Sequence, residues 1–400
     1  MSTFKLNSLL EITLAINENL PVTELLHKYE KILKEELQIG KIIIFKLNAG
    51  WECILNSGFD DSLACEDGID KKLLTIREIS PSSVLPEKIS DEVDIIIPVF
   101  HKDNPIAFVL IGDIDEESEG MSPIIKHLRF IQTISNILIV AIENIRLYNE
   151  NLRQVAIQRE LELASKMQTM LIPEEDKLPS NKHLGFRAFY HPHFEVGGDY
   201  YDVVELSDDQ VGFCIADVSG KGISAAILMS NFQANLRALF NHGRELEDIV
   251  IKLNDRVMQS AKGEKFITLF LARYTYSTHR LEYINAGHNP PLLYNVQKKK
   301  LIQLTSGSVG MGMLEKLPFI NKDAFDITGP SKMLLYTDGL VELIEDEGVE
   351  FGTTFIEQEI SNSGSINENI NEIIRLQRIE EGSASIFDDI SILGLSFSGE

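Results

Sequence analysis

Residues 195–206 read EVGGDYYDVVEL, and residues 211–226 follow as VGFCIADVSGKGISAA. Both are strand-like apolar runs with an aspartate at one end and glycines close by: Asp199 after Gly197 and Gly198, Asp217 before Gly220 and Gly222. A strand alternates its side chains between two faces, so an acid at the strand mouth can leave the core and still be rigidly held. A neighbouring glycine lets another group approach the backbone. "LLYTDGLVE" with Asp338 and "IFDDISIL" with Asp388 and Asp389 share the design. A lone strand-end aspartate commonly forms a turn or caps a helix. Four such segments together predict carboxylates converging on one oxygen-only site. That donor set suits Mg²⁺ or Mn²⁺. Two such ions would activate water for in-line attack on phosphorus without a side-chain nucleophile.

Around this stretch the texture is of short strands and Gly-rich turns: "HLGFRAFYHPH", "TLFLARYTY", "RLEYINAG", "PPLLYN", "KMLLYTDG" and "ISILGLSF". Helical patterns intervene at "ISAAILMSNFQANLRALF", "ELEDIVIKLNDRVMQSA" and "TTFIEQEISN". The alternation is too irregular for a doubly wound parallel sheet, so the class is α+β. Upstream, two helical patterns ("SLLEITLAINENL", "VTELLHKYEKILKEEL") precede strands "KIIIFKL", "ECILNS", "VDIIIPVF" and "IAFVLIGDI", the last two joined as a hairpin by "HKDNP". Between the halves a helix runs from Ser122 (N-cap) and Pro123 (first turn) to Pro173. Ile134, Leu138, Ala141, Ile145, Tyr148, Leu152 and Val155 recur in steps of four and three, the seam of a two-stranded coiled coil. The first part of that seam is expected to cover the preceding sheet. Beyond Tyr148 there is no such sheet, so dimerisation through about residues 145–172 is expected.

The whole chain bounds the reading. It has 400 residues, enough for two or three domains, and 61 acids against 37 Lys and Arg give a net charge of −24. That excess disfavours nucleic acid and anionic membrane as general partners. The N-terminus mixes acids into its apolar run, unlike a signal peptide, and polar residues interrupt "FIQTISNILIVAIENI", so a cytoplasmic protein without a membrane span is expected. Cys53, Cys65 and Cys214 lack CxxC spacing and are expected to be reduced packing residues.

Residues 1–145 resemble a GAF domain, on helix-strand order and on "IIIPVFHKDNPIAFVLIGDI". The resemblance implies a cavity between sheet and helices for a small-molecule ligand, and residues 146–172 then form a helical connector. Residues 173–398, through "EVGGDYYD", "DVSGKGISAA", "NAGHNPPLLY", "YTDGLVE" and "DDIS" in order, resemble the stage II sporulation protein E type of bacterial serine phosphatases, of the metal-dependent 2C class. This implies a β-sandwich flanked by helices and a pair of Mn²⁺ or Mg²⁺ ions. The implied reaction is hydrolysis of a phosphoserine or phosphothreonine in a regulatory protein, with a STAS-type anti-sigma-factor antagonist as the expected partner. By position Asp217 would bridge both ions, Val218 would lend a backbone carbonyl, Asp338 and Asp388 would bind the second ion, and Asp199 would hold the ions' waters. Asp389 is expected to support these. Gly198 stands where many relatives carry an acid, which implies thinner outer coordination.

Other residues carry weaker signals. "DVSGKGIS" is not a phosphate-binding P-loop; Gly220 and Gly222 are expected to turn the backbone into a helix, and Lys221 to be a solvated loop charge or a phosphate attractor. His191 and His193 are too few for a zinc site. His288 reads as structural, and Gly307, Gly310 and Gly312 as a flexible loop. The rival reading is a non-catalytic GAF-containing regulator with a phosphatase-like binding domain.

Overall fold

A computed structural model describes residues 3–48, 50–60, 73–84, 91–114, 126–193, 196–240, 243–342, 352–377, 379 and 388–398. Ser122, Pro123 and Cys65 lie outside the described residues. The chain divides into two compact units, Met1–Val155 and Ala156–Glu400.

In the first unit, α1 (Thr3–Asn17) and α2 (Val22–Lys31) precede five strands: β1 (Ile39–Leu47), β2 (Trp51–Ser57), β3 (Ser80–Pro81), β4 (Ile95–His101) and β5 (Asn104–Ile114). They form one antiparallel sheet in the order β2-β1-β5-β4-β3. The unbroken apolar run of β1 is explained by burial on both faces. Ile42 and Ile44 pack with Val99 and Val109 toward the helices, while Ile43 and Phe45 pack with Ile96 and Phe108 on the opposite face. Helix α3 (Leu128–Thr169) lays Ile131, Ile134, Leu138 and Ile142 into the first of these clusters. The buried Lys46 of β1 donates to Glu143 of α3 at 2.6 Å.

One expectation is corrected here. Helix α3 is long and apolar enough to cross a membrane by length and composition alone. Ile131, Ile134, Leu138, Ile139 and Ile142 of that run are buried in the core of the first unit, and its polar Ser135 is buried with them, 2.6 Å from the Tyr29 hydroxyl.

The second unit is a β-sandwich. β6 (Leu184–His191), β7 (Tyr200–Ser207), β8 (Gln210–Val218), β9 (Ile267–Thr275), β10 (Arg280–Ala286), β11 (Leu292–Asn295), β12 (Lys300–Gln303), β13 (Gly307–Ser308), β14 (Asp323–Asp326), β15 (Ser331–Tyr336) and β16 (Ile390–Phe397) supply its strands. One sheet runs β13-β10-β9-β8-β7 with β14 also on β10, the other β12-β11-β15-β16-β6. Facing side chains close the core between them: Phe186 meets Phe213 and Tyr274 meets Phe397, with ring centroids 6.3 and 5.0 Å apart. Helices α4 (Ile223–Phe240) and α5 (Leu246–Ala261) cover the first sheet, and α6 (Thr354–Ile360) and α7 (Ile366–Leu376) the second. Strand β15 shows why the layers number four: Met333 and Leu335 enter the inter-sheet core while Leu334 and Tyr336 pack under α6 and α7.

The Gly307–Gly312 segment is not the free loop its glycines suggest. Gly307 and Ser308 pair in parallel with Asn285 and Ala286, and the buried Met311 forms a bridge with Ile267. Backbone pairing there needs close approach: a Cβ on Gly307 would stand 1.7 Å from the Asn285 carbonyl oxygen.

Candidate metal centre

The topology brings all four acid segments to one end of the sandwich. Asp199 immediately precedes β7 and Asp217 lies near the end of its antiparallel neighbour β8. In the other sheet Asp338 follows β15, and Asp388 and Asp389 precede its antiparallel neighbour β16. Two adjacent strands from each sheet therefore present acids at the same mouth. On β8, Phe213, Ile215 and Asp217 share the face turned to the second sheet, so Asp217 continues the inter-sheet core row into the opening.

Electrostatics report the crowding. Burial, and then the charges of Asp338, Asp388 and Asp389, push the Asp217 carboxyl up to about 7. Burial, then Asp217 and Asp389, hold Asp199 well above the ordinary carboxylate range. Asp338 is raised by burial and by Asp388. Like charges withdrawn from water into one place disfavour each other's ionised form. Lys221 offsets part of this, its ammonium 3.0 Å from Asp388 with both side chains partly exposed. Gly220 and Gly222 take positive φ of 77° on either side of it, as the turn into α4 requires.

The donor set fits a hard divalent cation in kind: carboxylate oxygens, with the Val218 carbonyl beside them. Among the described residues no three acidic, His or Cys side chains stand close enough together to hold an ion. Asp217 and Asp199 nevertheless lie within hydrogen-bonding reach of each other.

A shell of hydrogen bonds fixes the acids. Thr337 Oγ1 donates to Asp199 Oδ2 at 2.7 Å and accepts from the Ser391 amide at 2.9 Å, linking Asp199 to β15 and β16 of the second sheet. Asp389 turns inward, accepting from the His193 amide at 2.8 Å and the Gly198 amide at 2.6 Å. Gly198 is more than a missing acid, since a Cβ there would stand 2.9 Å from the Val218 carbonyl oxygen. Thr337 was not singled out in the sequence although it sits inside "YTDG"; hydroxyl neighbours of strand-end acids are the signal that could have found it. Gln168, which hydrogen-bonds to Gly197, was not singled out either, although it lies in LELASKMQTMLIP (161–173), a stretch that resembles the helical lead-in of the same phosphatases.

The second aspartate of "GGDYYD" has another task. Asp202 is fully buried on β7 and takes a bidentate ion pair from Arg237 of α4, at 2.7 and 3.0 Å, with the Tyr200 hydroxyl as third donor. His288 is buried with Thr268 Oγ1 2.8 Å from its Nδ1, and burial lowers it to about 4, so it is neutral near pH 7. Cys214 is buried, and burial pushes its thiol up, which leaves it a packing residue rather than a thiolate nucleophile.

The family profile of stage II sporulation protein E (SpoIIE) matches residues 207–398, the segment that carries Asp217, Asp338 and Asp388. Over that segment the carboxy-terminal unit is similar to the SpoIIE family. Among curated proteins, the phosphoserine phosphatase RsbU of Bacillus subtilis is 29% identical over 195 residues, covering 49% of this chain and 57% of RsbU. Phosphoserine phosphatase RsbP of the same organism is 27% identical over 189 residues, 46% of each chain. Protein IcfG of Synechocystis is 28% identical over 265 residues, 59% of this chain and 41% of IcfG. The chain thus spans about half the length of the curated relatives it matches. Among solved structures, the SiaA-PP2C domain of Pseudomonas aeruginosa superposes with a TM-score of 0.53 at 18% identity, over 61% of this chain and 98% of that one. That likeness fixes the fold of the carboxy-terminal unit as that of the 2C phosphatases.

Proposed function

We propose that the protein is a metal-dependent protein serine/threonine phosphatase of bacterial signalling. The observation that carries the reading is the meeting of Asp199, Asp217, Asp338 and Asp388 from two sheets at one sandwich mouth, inside or beside the segment matched to the SpoIIE family. In this reading Asp217, Asp338, Asp388 and the Val218 carbonyl hold Mn²⁺ or Mg²⁺, two ions in all. Asp199, oriented by Thr337, completes the set. When bound, the ions supply Lewis-acid polarisation of the phosphate and activation of water. The chain's own residues do the rest. Carboxylates position the cations, Asp389 fixes the Gly198 backbone beside them, and Lys221 at the opening attracts the phosphate dianion of the substrate.

The substrate in this reading is a phosphoserine or phosphothreonine of a regulatory protein, with a STAS-type anti-sigma-factor antagonist as first candidate, in the cytoplasm. The names of RsbU and RsbP support phosphoserine chemistry. The first unit acts as a GAF-like sensor; its five-stranded antiparallel sheet under α1–α3 supports this. It carries an open, mainly apolar groove of about 950 Å³ lined by Ile16, Leu20, Ile137 and Ile145, between helices rather than between sheet and helices. The connector pairs two copies as a coiled coil. Its Tyr148, Leu152 and Val155 are 65%, 49% and 42% exposed, apolar surface that a second helix would cover.

The test is hydrolysis of a phosphoserine peptide by the full chain, with and without Mn²⁺, beside Asp217→Asn. Metal-dependent turnover lost in the variant is the expected result. Metal binding without turnover on any phosphoserine or phosphothreonine substrate would favour the non-catalytic alternative.

A further inference from the structure

From Glu143 to Met170, α3 and the turn that ends it bury a single residue, and that residue is polar: Gln168, 7% exposed. Met167 and Met170 beside it are 64% and 81% exposed, and apolar anchoring begins only at Ile172, which the following turn buries in the core of the second unit. The side-chain amide of Gln168 instead pairs with one backbone unit in the manner of a β-ladder. Its Nε2 donates to the Gly197 carbonyl at 2.5 Å, and its Oε1 accepts the Gly197 amide at 3.1 Å. Both partners are out of water, where hydrogen bonds are strong and their loss is costly.

Gly197 opens directly onto the acids. The next amide, Gly198, donates to Asp389, and the next residue is Asp199. Asp389 and Tyr190 pack so closely here that no side chain fits at residue 197: a Cβ on Gly197 would stand 2.5 Å from Asp389 Oδ2 and 2.5 Å from the Tyr190 hydroxyl. Gln168 therefore braces residues 197–199 from one side while Asp389 and Thr337 brace them from the other.

We propose that Gln168 is a positioning residue for the metal centre: by clamping Gly197 it sets the placement of Asp199 and of the Val218 carbonyl that Gly198 leaves clear. This rests on the reading of the acids as a metal site. It adds that cation affinity depends on how the end of α3 is seated, through one amide pair.

The experiment uses the full chain and its Gln168→Met variant, which keeps the length of the side chain but loses both hydrogen bonds. Exposed Lys166→Ala is the control. Calorimetric titration with Mn²⁺ and thermal melting without metal are read together. The expected result is an Mn²⁺ Kd about tenfold weaker in Q168M, the scale of one to two lost buried hydrogen bonds, with K166A unchanged. Peptide hydrolysis by Q168M should recover at saturating Mn²⁺. A variant that melts earlier but binds Mn²⁺ within twofold of the parent would overturn the proposal, leaving Gln168 a structural residue only. Should Q168M not fold, Gln168→Asn, which keeps the amide but cannot reach Gly197, is read by the same criteria. If the parent itself binds no Mn²⁺, the metal reading and the clamp both fall; if only the variant fails to differ, the clamp alone does.

Discussion

Asp217 is the residue on which the account turns, and its ionisation gives a signed prediction. Folding raises its carboxyl from the ordinary 3.8 to about 7. Between those values the folded form keeps a proton that the unfolded chain releases, so this group's contribution to metal-free stability is lost as pH rises from about 4 through about 7. His288 works in the opposite sense: burial lowers it to about 4, so its contribution grows as pH rises from there toward its ordinary 6.5. Comparison of parent with Asp217→Asn removes the His288 contribution. In urea unfolding without metal, D217N should gain stability on the parent from about pH 4 to about pH 7, and added Mn²⁺ should stabilise the parent only. A constant difference across that range would contradict the crowding. The acids themselves were legible in the sequence because glycine-flanked aspartates ended apolar runs. Asp202, three residues on from Asp199 and inside β7, is an ion-pair anchor instead, and its partner Arg237, 35 positions away, is set by packing that no local motif records.

Elements were legible where periodicity was strong, as in β8 and α4, and less so where tertiary pairing made them. β12, β13 and β14 are strands of two to four residues with little alternation of their own, held by neighbours. Helix α7 escaped notice although Ser365 and Glu368 form a full capping box and Ile370 and Ile373 are buried beneath it. At this scale the Arg237–Asp202 pair ties α4, which begins at the site loop, to β7, which begins at Asp199. Removing the guanidinium, itself half exposed, leaves the buried Asp202 carboxylate without its counter-charge, a loss of roughly 1–3 kcal/mol. Arg237→Ala should therefore lower the urea midpoint of the carboxy-terminal unit without altering the slope, and a midpoint unchanged from the parent would show that the pair contributes nothing net.

At the scale of the molecule, α3 joins a sheet-packed start to an exposed continuation, and its heptad-like residues change role along its length. Ile134 and Leu138 are core, whereas Tyr148, Leu152 and Val155 face solvent. The sequence showed the repeat but could not separate the two roles, because covering a sheet and covering a second helix require the same apolar spacing. If the exposed part pairs two copies, Leu152→Lys with Val155→Lys should shift the protein from dimer to monomer in analytical ultracentrifugation while leaving the circular dichroism of each unit intact. A parent that sediments as a monomer would remove the coiled coil from the account. The central claim, that the acids at the sandwich mouth hold a divalent cation, is tested most directly by anomalous diffraction from crystals grown with Mn²⁺. The account predicts peaks about 2.2 Å from carboxylate oxygens of Asp217, with Asp338, Asp388 or the Val218 carbonyl completing the coordination. Density elsewhere, or no anomalous peak at saturating Mn²⁺, would contradict it.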